Sequence, residues 1–209
     1  MTTHTKLKSL EEHGYAILRH YDRPIPPAEY LDLEYMDWKS GGDTNFAPIA
    51  SALGDLECAG FWDFGKPDKD GIWTSNAAKC PSIVEWVEKV GANYGRVRII
   101  KLEPQGDDQA LKTMHQDDNN RLNPEGEGWV VRCWLELSNN PGAEMVLRDI
   151  KDDPSTETRI SLTPGAQFVV DSERLFHVVA NPSNKPRYAL ITSFESGPAL
   201  ESWIESQRP

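Results

Sequence analysis

Four side chains in the second half of the chain have types and spacings that suit metal and acid binding. His115 and Asp117 stand two positions apart in the stretch TMHQDDNN, and His177 follows 62 positions after His115. Arg187 comes ten residues after His177. Two imidazoles and one carboxylate can hold one face of a metal ion such as Fe(II), which leaves three coordination positions open. The sequence therefore predicts that His115, Asp117 and His177 form a metal site and carry any catalysis.

Each of these residues lies in a context that suits its predicted role. On an extended segment, residues two apart point to the same side, so His115 and Asp117 can share one ion while Asp118 points away. His177 lies in the apolar run LFHVVA, which is typical of a strand. Arg187 begins the run RYALITSF, and its planar guanidinium suits a bidentate pair with a dicarboxylic acid.

The elements that must position these residues are short strands. From Arg96 onward, β-rich runs alternate with turns rich in Pro, Gly, Asn and Asp. Many short strands separated by such turns indicate an antiparallel sandwich or jelly-roll barrel rather than a parallel α/β sheet. The predicted strands are RVRIIKLE, WVVRCWLEL, EMVLRD, TRISLT, QFVVD, LFHVVA and RYALITSF.

Helices are predicted on both sides of this barrel. PPAEYLDLEYMDWKSGG predicts a helix that ends before Gly41 and carries Tyr30, Leu31, Glu34, Tyr35 and Trp38 along one side. PSIVEWVEKVG predicts a second helix between Pro81 and Gly91 with an apolar stripe, and GPALESWIESQ predicts a C-terminal one. Between the first two helices, the segment 42–78 is predicted to be a long covering loop that can contain short strands. Its aromatic residues either wall a substrate site or anchor the loop to the core: Phe61, Trp62 and Trp73.

The whole chain is predicted to form a single domain with three parts. Residues 1–94 form helical support and the covering loop, residues 95–196 form the β-barrel core, and residues 197–209 form the C-terminal helix. With 209 residues, the chain is long enough for one substantial core and short for two domains. The predicted fold class is therefore α+β, mainly β, with N-terminal supporting helices.

Charge and composition exclude several classes of partner. The formal net charge of -11 would repel phosphate backbones, and the arginines form no basic patch, so a nucleic-acid partner is disfavoured. No apolar run approaches the roughly 20 residues that span a bilayer, which predicts no membrane partner. The three cysteines have no close pair, and no signal peptide is visible, so we expect a cytoplasmic protein.

The order HxD, distant His and then Arg within strand-rich sequence resembles the Fe(II)/2-oxoglutarate-dependent oxygenase superfamily. The resemblance covers about residues 96–194, and the stretch HQDDNN also resembles the aspartyl/asparaginyl hydroxylase branch. It implies a double-stranded β-helix, a jelly-roll or cupin-like barrel. His115, Asp117 and His177 would bind Fe(II), and Arg187 would hold the distal carboxylate of 2-oxoglutarate. Ala189 departs from a related Arg-x-Ser pattern, so any hydroxyl that helps Arg187 must come from elsewhere.

Arg132, in the run WVVRCWLEL, is a charge in the middle of an apolar strand and must find a partner if it is buried. It is expected to contact the near carboxylate of 2-oxoglutarate or a substrate acid, or to pair with Glu136. Arg121, in the loop after the motif, either reaches over the site or is a solvated loop residue.

The resemblance implies a dioxygenase that uses Fe(II), O₂ and 2-oxoglutarate and releases succinate and CO₂. Asp117 fills the position that halogenating relatives leave small, so hydroxylation of a small molecule or an amino-acid-like substrate is the prediction. One alternative is a hydroxylase of Asp or Asn side chains in a protein or peptide. Another is a cupin barrel that binds metal without oxygen chemistry.

Overall fold

Eleven strands form two antiparallel sheets in the computed structural model, which describes residue 5 and residues 7–38, 44–123 and 128–209. The larger sheet has the strand order β1-β9-β6-β11-β5-β3-β2, with β4 also paired to β3, and the smaller has the order β10-β7-β8. The strands are β1 (Tyr15–Leu18), β2 (Met36–Asp37), β3 (Thr44–Ser51), β4 (Ile72–Trp73), β5 (Tyr94–Leu102), β6 (Val130–Glu136), β7 (Glu144–Arg148), β8 (Glu157–Ser161), β9 (Gln167–Val170), β10 (Phe176–Ala180) and β11 (Arg187–Glu195).

The two sheets enclose an apolar core between their inner faces. Trp134 on β6 and Phe168 on β9 stack with ring centroids 5.4 Å apart, and they pack with Met145 and Leu147 of β7. Because alternate side chains of a strand point to opposite faces, each strand contributes one set of residues to this core and the other to its outer surface. The predicted mainly β fold, a double-stranded β-helix, is confirmed.

The α-helices in the described residues are α1 (Ala28–Leu31), α2 (Pro81–Val90), α3 (Asp107–Lys112) and α4 (Pro198–Ser206). Helices α2 and α4 cover the outer face of the larger sheet, whereas α3 lies against β10 of the smaller sheet. Helix α2 buries Ile83, Trp86, Val87 and Val90 in the same apolar cluster as Leu200 and Ile204 of α4. Pro81 occupies its first turn, and Gly91 ends it in a left-handed conformation with φ of 73°. No helix in the described ranges is long and apolar enough to cross a bilayer.

The helix predicted over PPAEYLDLEYMDWKSGG is wrong after its first turn. Helix α1 ends at Leu31, and Met36–Asp37 pairs with the edge of β3 instead. Trp38 packs edge-on against Phe46 of β3 with centroids 5.9 Å apart. Its ring is therefore packed against the sheet and not along a helix face. Tertiary packing of this kind overrides a weak helix propensity. The predicted stop at Gly41 lies outside the described residues.

The predicted covering loop contains an eight-residue strand of the larger sheet. Strand β3 lies between β2 and β5, and its residues from Phe46 onward are buried. Pro48 argues against a central strand because proline cannot donate to the ladder, but the register shifts between Pro48 and Ala50 and accommodates it. Four strands that pair into the larger sheet, β1 to β4, therefore come from the first 94 residues.

Candidate metal centre

An isolated pair of backbone hydrogen bonds brings the two predicted metal-binding histidines side by side. His115 donates its backbone N–H to the carbonyl of His177 at 3.2 Å, and His177 donates back to His115 at 2.8 Å. His177 lies on β10, while His115 follows α3 in an extended segment. The two imidazole rings have centroids 4.6 Å apart. Residues 62 positions apart in sequence thus share one small volume.

Asp117 completes a cluster of three possible ligands. Its backbone N–H donates to the carbonyl of Ser172 at 2.9 Å, which fixes the segment beside the turn after β9. Oδ1 of Asp117 lies 3.8 Å from Nε2 of His115 and 3.9 Å from Nε2 of His177. One ligand atom from each residue lies within 4.8 Å of the others. The chemistry of this donor set fits a divalent transition metal.

The far side of each imidazole is held by the backbone. Nδ1 of His115 is 3.0 Å from the carbonyl oxygen of Thr113, and Nδ1 of His177 is 3.3 Å from that of Leu175. Because a carbonyl can only accept, Nδ1 carries the proton in the neutral form of each ring, and Nε2 then keeps its lone pair. Burial lowers the pKa of His177, although Asp117 opposes that shift. A neutral imidazole with a free Nε2 is the form that binds metal.

The carboxylate of Asp117 is oriented in a similar way. Its Oδ2 accepts hydrogen bonds from Nε of Arg132 at 3.1 Å, Nδ2 of Asn119 at 2.9 Å and Oγ of Ser172 at 2.9 Å. Burial alone would raise the pKa of Asp117. Arg132 and the two imidazoles lower this pKa by more than burial raises it, so it lies well below the usual range. The three donors leave Oδ1 facing the histidines, as an ionised ligand would require.

Two connected cavities meet at this cluster. The inner cavity, about 160 Å³, runs between the sheets and is lined by Ile100, Met145 and Arg187 together with the three clustered residues. The outer cleft, about 670 Å³, opens past Trp62 and Asn119. Residues common to both linings are Thr44, Phe46, Arg98, His115, Asp117 and Arg132. The cluster therefore stands at the junction of a narrow apolar pocket and a wider polar one.

Solved structures with this architecture are found in several organisms. A 2OG-Fe(II) oxygenase family oxidoreductase from Burkholderia pseudomallei is 14% identical, with a TM-score of 0.56 over 90% of this chain and 87% of that chain. A Pseudomonas putida prolyl-4-hydroxylase is 13% identical, with a TM-score of 0.50 over 91% and 97% of the two chains. This chain has the fold of the 2OG-Fe(II) oxygenases.

A third structure supports the same assignment of fold. A prolyl hydroxylase from Trichoplax adhaerens, in complex with a peptide fragment of the hypoxia inducible factor oxygen degradation domain, is 13% identical, with a TM-score of 0.51 over 93% and 89% of the chains. No protein-family model and no curated protein matches the sequence. The 2OG-Fe(II) oxygenase fold is thus recognised through structure, in agreement with the resemblance that the sequence motifs carry.

Within this oxygenase fold, Arg187 lies at the closed end of the site, but its guanidinium already has a hydrogen-bond partner. It is almost fully buried on β11 and donates to Oε2 of Glu136 through Nε at 3.0 Å and through Nη2 at 2.6 Å. Burial raises the pKa of Glu136 to about 7, although Arg187 lowers it. Arg187 lines the inner cavity while this partner occupies two of its three nitrogens.

The expected alternative of an Arg132–Glu136 pair is wrong. Residues four apart on one strand face the same side but lie roughly 13 Å apart along it, whereas Arg187 reaches Glu136 from the neighbouring strand. Arg132 instead pairs with Asp117 and Asp68 and also donates to Asn119 and Ser193. Arg132 therefore contacts the cluster itself rather than the far end of the inner cavity.

The remaining loop residues divide between the cleft and the surface. Asp118, the rival ligand, is exposed and pairs with Arg121, whose guanidinium also lies over the Trp62 ring at 4.5 Å. Phe61 is fully buried, and Trp73 packs on Tyr94 with centroids 4.6 Å apart. Trp62 alone of the three loop aromatics lines the cleft.

Two arginines of the cleft were not predicted from the sequence. Arg96 and Arg98 both line the outer cleft, and Arg96 makes a two-nitrogen contact with the fully buried carboxylate of Asp68. The signal is present in the run RVRII, where two cations alternate with apolar residues on a central strand. Charges two apart on a buried strand share one face and must find partners or line a cavity.

Proposed function

We propose that the protein is an Fe(II)/2-oxoglutarate-dependent dioxygenase in which His115, Asp117 and His177 hold the iron. This proposal depends on one observation: three ligand atoms, one from each of these side chains, lie within 4.8 Å of one another. The other polar atom of each side chain accepts or donates a hydrogen bond within the protein. With 2-oxoglutarate and O₂, the bound iron would supply the oxidation of a substrate C–H bond, with release of succinate and CO₂. Two imidazoles and one carboxylate on one face are the donor set for this chemistry.

The inner cavity is the proposed site for 2-oxoglutarate. Its apolar walls suit the methylene groups of the diacid, and Arg187 at its end suits the distal carboxylate. Nε and Nη2 of Arg187 are engaged by Glu136, so the incoming carboxylate would share the guanidinium with Glu136 or displace it. Thr44 and Gln105 also line this cavity. Their polar side chains would take the place of the hydroxyl that Ala189 does not provide beside Arg187.

The chain's own contribution is to position ligands and exclude water. Arg132 and Ser172 hold Oδ2 of Asp117, so that its other oxygen stays directed at the histidines. Trp134 lies edge-on to the His177 ring with centroids 6.0 Å apart and closes the site from the core side. Rigid ligands in a partly dry pocket bring the reacting groups together without rearrangement of the site.

The outer cleft is the proposed entry for a small-molecule or amino-acid-like substrate. It reaches His115 and Asp117 directly and has aromatic walls formed by Trp38, Phe46 and Trp62. Hydroxylation is the proposed outcome, because Asp117 occupies the third ligand position. A screen of free amino acids and other metabolites for accelerated succinate formation, scored by a 16 Da gain of product mass, tests the substrate class. Stimulation by peptides alone would favour the peptidyl hydroxylase alternative.

Anaerobic addition of Fe(II) and 2-oxoglutarate tests the cofactor proposal. The protein should show the weak visible charge-transfer band of chelated 2-oxoglutarate, and Arg187→Ala should abolish the band at the same ligand concentration. Arg159→Ala is a matched control, because Arg159 is a paired arginine on β8 that lines neither cavity. A protein that binds Fe(II) but never gives the band would be a metal-binding barrel without this chemistry.

A further inference from the structure

Arg98 is a half-buried cation with no ion-pair partner among the described residues. Its guanidinium packs against two aromatic rings that meet edge-on, 4.7 Å from the centroid of Trp38 and 4.3 Å from that of Phe46. Its Nε and Nη1 atoms are shielded from solvent, and neither has a hydrogen-bond partner among the described residues. Ring faces attract a guanidinium but do not accept hydrogen bonds in its plane. Two nitrogen atoms of Arg98 are therefore shielded from solvent and unpaired.

The other arginines of the site are already paired. Arg96 is bonded to Asp68 and Asn119, Arg132 to Asp117 and Asn119, and Arg187 to Glu136. Arg98 alone, among the arginines that line the two cavities in the described ranges, has no carboxylate within ion-pair distance.

Among the five charged groups that surround Arg132, positive charges exceed negative charges by one. Three guanidinium groups, those of Arg96, Arg98 and Arg132, stand with two carboxylates that are paired with Arg96 and Arg132, those of Asp68 and Asp117. A divalent metal and the 2-oxoglutarate dianion would cancel each other and leave the excess unchanged. Burial, followed by repulsion from Arg96 and Arg132, lowers the pKa of Arg98, yet a guanidinium keeps its proton in proteins. One further negative charge would complete the site.

The position of Arg98 indicates where that charge would come from. Arg98 lies on β5 opposite Ile191 of β11, and it lines both the inner cavity and the outer cleft. The proposed 2-oxoglutarate site already has Arg187 for its distal carboxylate. An anion in the outer cleft would lie beside both Arg98 and the metal cluster, which is the place of the substrate in the proposed function.

We propose that Arg98 recognises a carboxylate of the substrate, so that the protein acts on a carboxylic acid whose apolar part lies against Trp38 and Phe46. This inference rests on the proposed function, since it names the substrate class of the same site. A carboxylate carries the single charge that is missing, and its oxygens accept hydrogen bonds in the plane of the guanidinium, where the rings do not. A neutral amide of the same shape would leave the charge uncompensated.

Stability of the metal-free protein gives a first test that needs no substrate. Removing a half-buried charge that has two shielded, unpaired nitrogen atoms should stabilise the fold, so Arg98→Met should raise Tm by about 2–4 °C in low-salt buffer. Arg187→Met should lower Tm because it leaves Glu136 without its partner. Arg159→Met, outside both cavities, is the control for the change of charge. A fall in Tm for Arg98→Met as large as that for Arg187→Met would overturn the inference.

Matched acid and amide probes test the recognition directly. The metal-free protein is titrated with N-acetyl-leucine and N-acetyl-leucinamide, and with 3-phenylpropionate and 3-phenylpropionamide, while tryptophan fluorescence and Tm are followed. Each acid should bind about 10-fold more tightly than its amide, in proportion to one charge-assisted contact, and Arg98→Met should lose the preference. Equal binding of acids and amides by the unmodified protein, or a preference that survives in Arg98→Met, would overturn the inference.

The 2-oxoglutarate chelate band separates this inference from the proposed function. Loss of the band in Arg98→Met would assign Arg98 to the co-substrate and overturn the inference while the dioxygenase proposal stood. Absence of the band from the unmodified protein would contradict the dioxygenase proposal, and the acid preference of the metal-free protein would still decide the role of Arg98.

Discussion

Glu136→Gln should increase the affinity for 2-oxoglutarate. Glu136 accepts two hydrogen bonds from Arg187, at 3.0 Å and 2.6 Å, and so competes with the distal carboxylate for the same guanidinium. In the variant, an uncharged amide oxygen replaces the carboxylate. A charge-assisted hydrogen bond contributes about 1.5–3 kcal/mol and a neutral one about 1 kcal/mol, so two weakened bonds release roughly 1–4 kcal/mol. Even the lower limit corresponds to about 5-fold tighter binding.

Anaerobic titration of the Fe(II)-loaded protein with 2-oxoglutarate, followed by the chelate band, measures this affinity. Glu144→Gln provides the matched control: Glu144 accepts from Arg159 at 2.8 Å on the smaller sheet and lines neither cavity. Weaker 2-oxoglutarate binding by Glu136→Gln would mean that Glu136 positions Arg187 for the diacid rather than competing for it. In that case the reasoning about the shared guanidinium would be refuted.

Three further outcomes follow from the same contacts. Arg132→Met should lower the free energy of unfolding by about 3–5 kcal/mol in urea titrations, because it removes the arginine paired with Asp117 and leaves the buried Asp68 with Arg96 alone; a change under 1 kcal/mol would contradict this. Ser172→Ala should weaken Fe(II) binding about 10-fold by removing a donor to Asp117, whereas an unchanged Kd would show that this contact does not orient the ligand. The raised pKa of Glu136, about 7 when folded against an ordinary value of 4.5, means that the folded state binds more protons between these limits. Its contribution to stability is therefore present below pH 4.5 and lost as pH rises through 7, by up to about 3 kcal/mol, and this slope should be absent from Glu136→Gln.

The strand-rich half of the fold could be predicted because its signals are local. Runs such as LFHVVA and RYALITSF have the period and the turn residues of strands, and the structure has β10 and β11 there. The same periodicity, with the HxD spacing, was enough to select His115, Asp117 and His177 as one candidate cluster. Their use as metal ligands stays a prediction.

The remaining parts depended on contacts that a sequence does not specify. The residues after α1 became an edge strand because β3 offered unpaired backbone groups, and β3 was hidden by Pro48 and by burial on both faces. The pairing of Arg187 with Glu136 depends on the register of β11 against β6, in which Ala189 stands opposite Glu136. No local pattern encodes that register, so the partner of Arg187 could not be chosen beforehand.

The most direct test of the central claim is an anomalous difference map, measured at the iron edge, from crystals grown anaerobically with Fe(II). The account predicts one strong peak per chain, within bonding distance of Nε2 of His115, Nε2 of His177 and Oδ1 of Asp117. The absence of a peak among these atoms, or a peak held by other side chains, would contradict it.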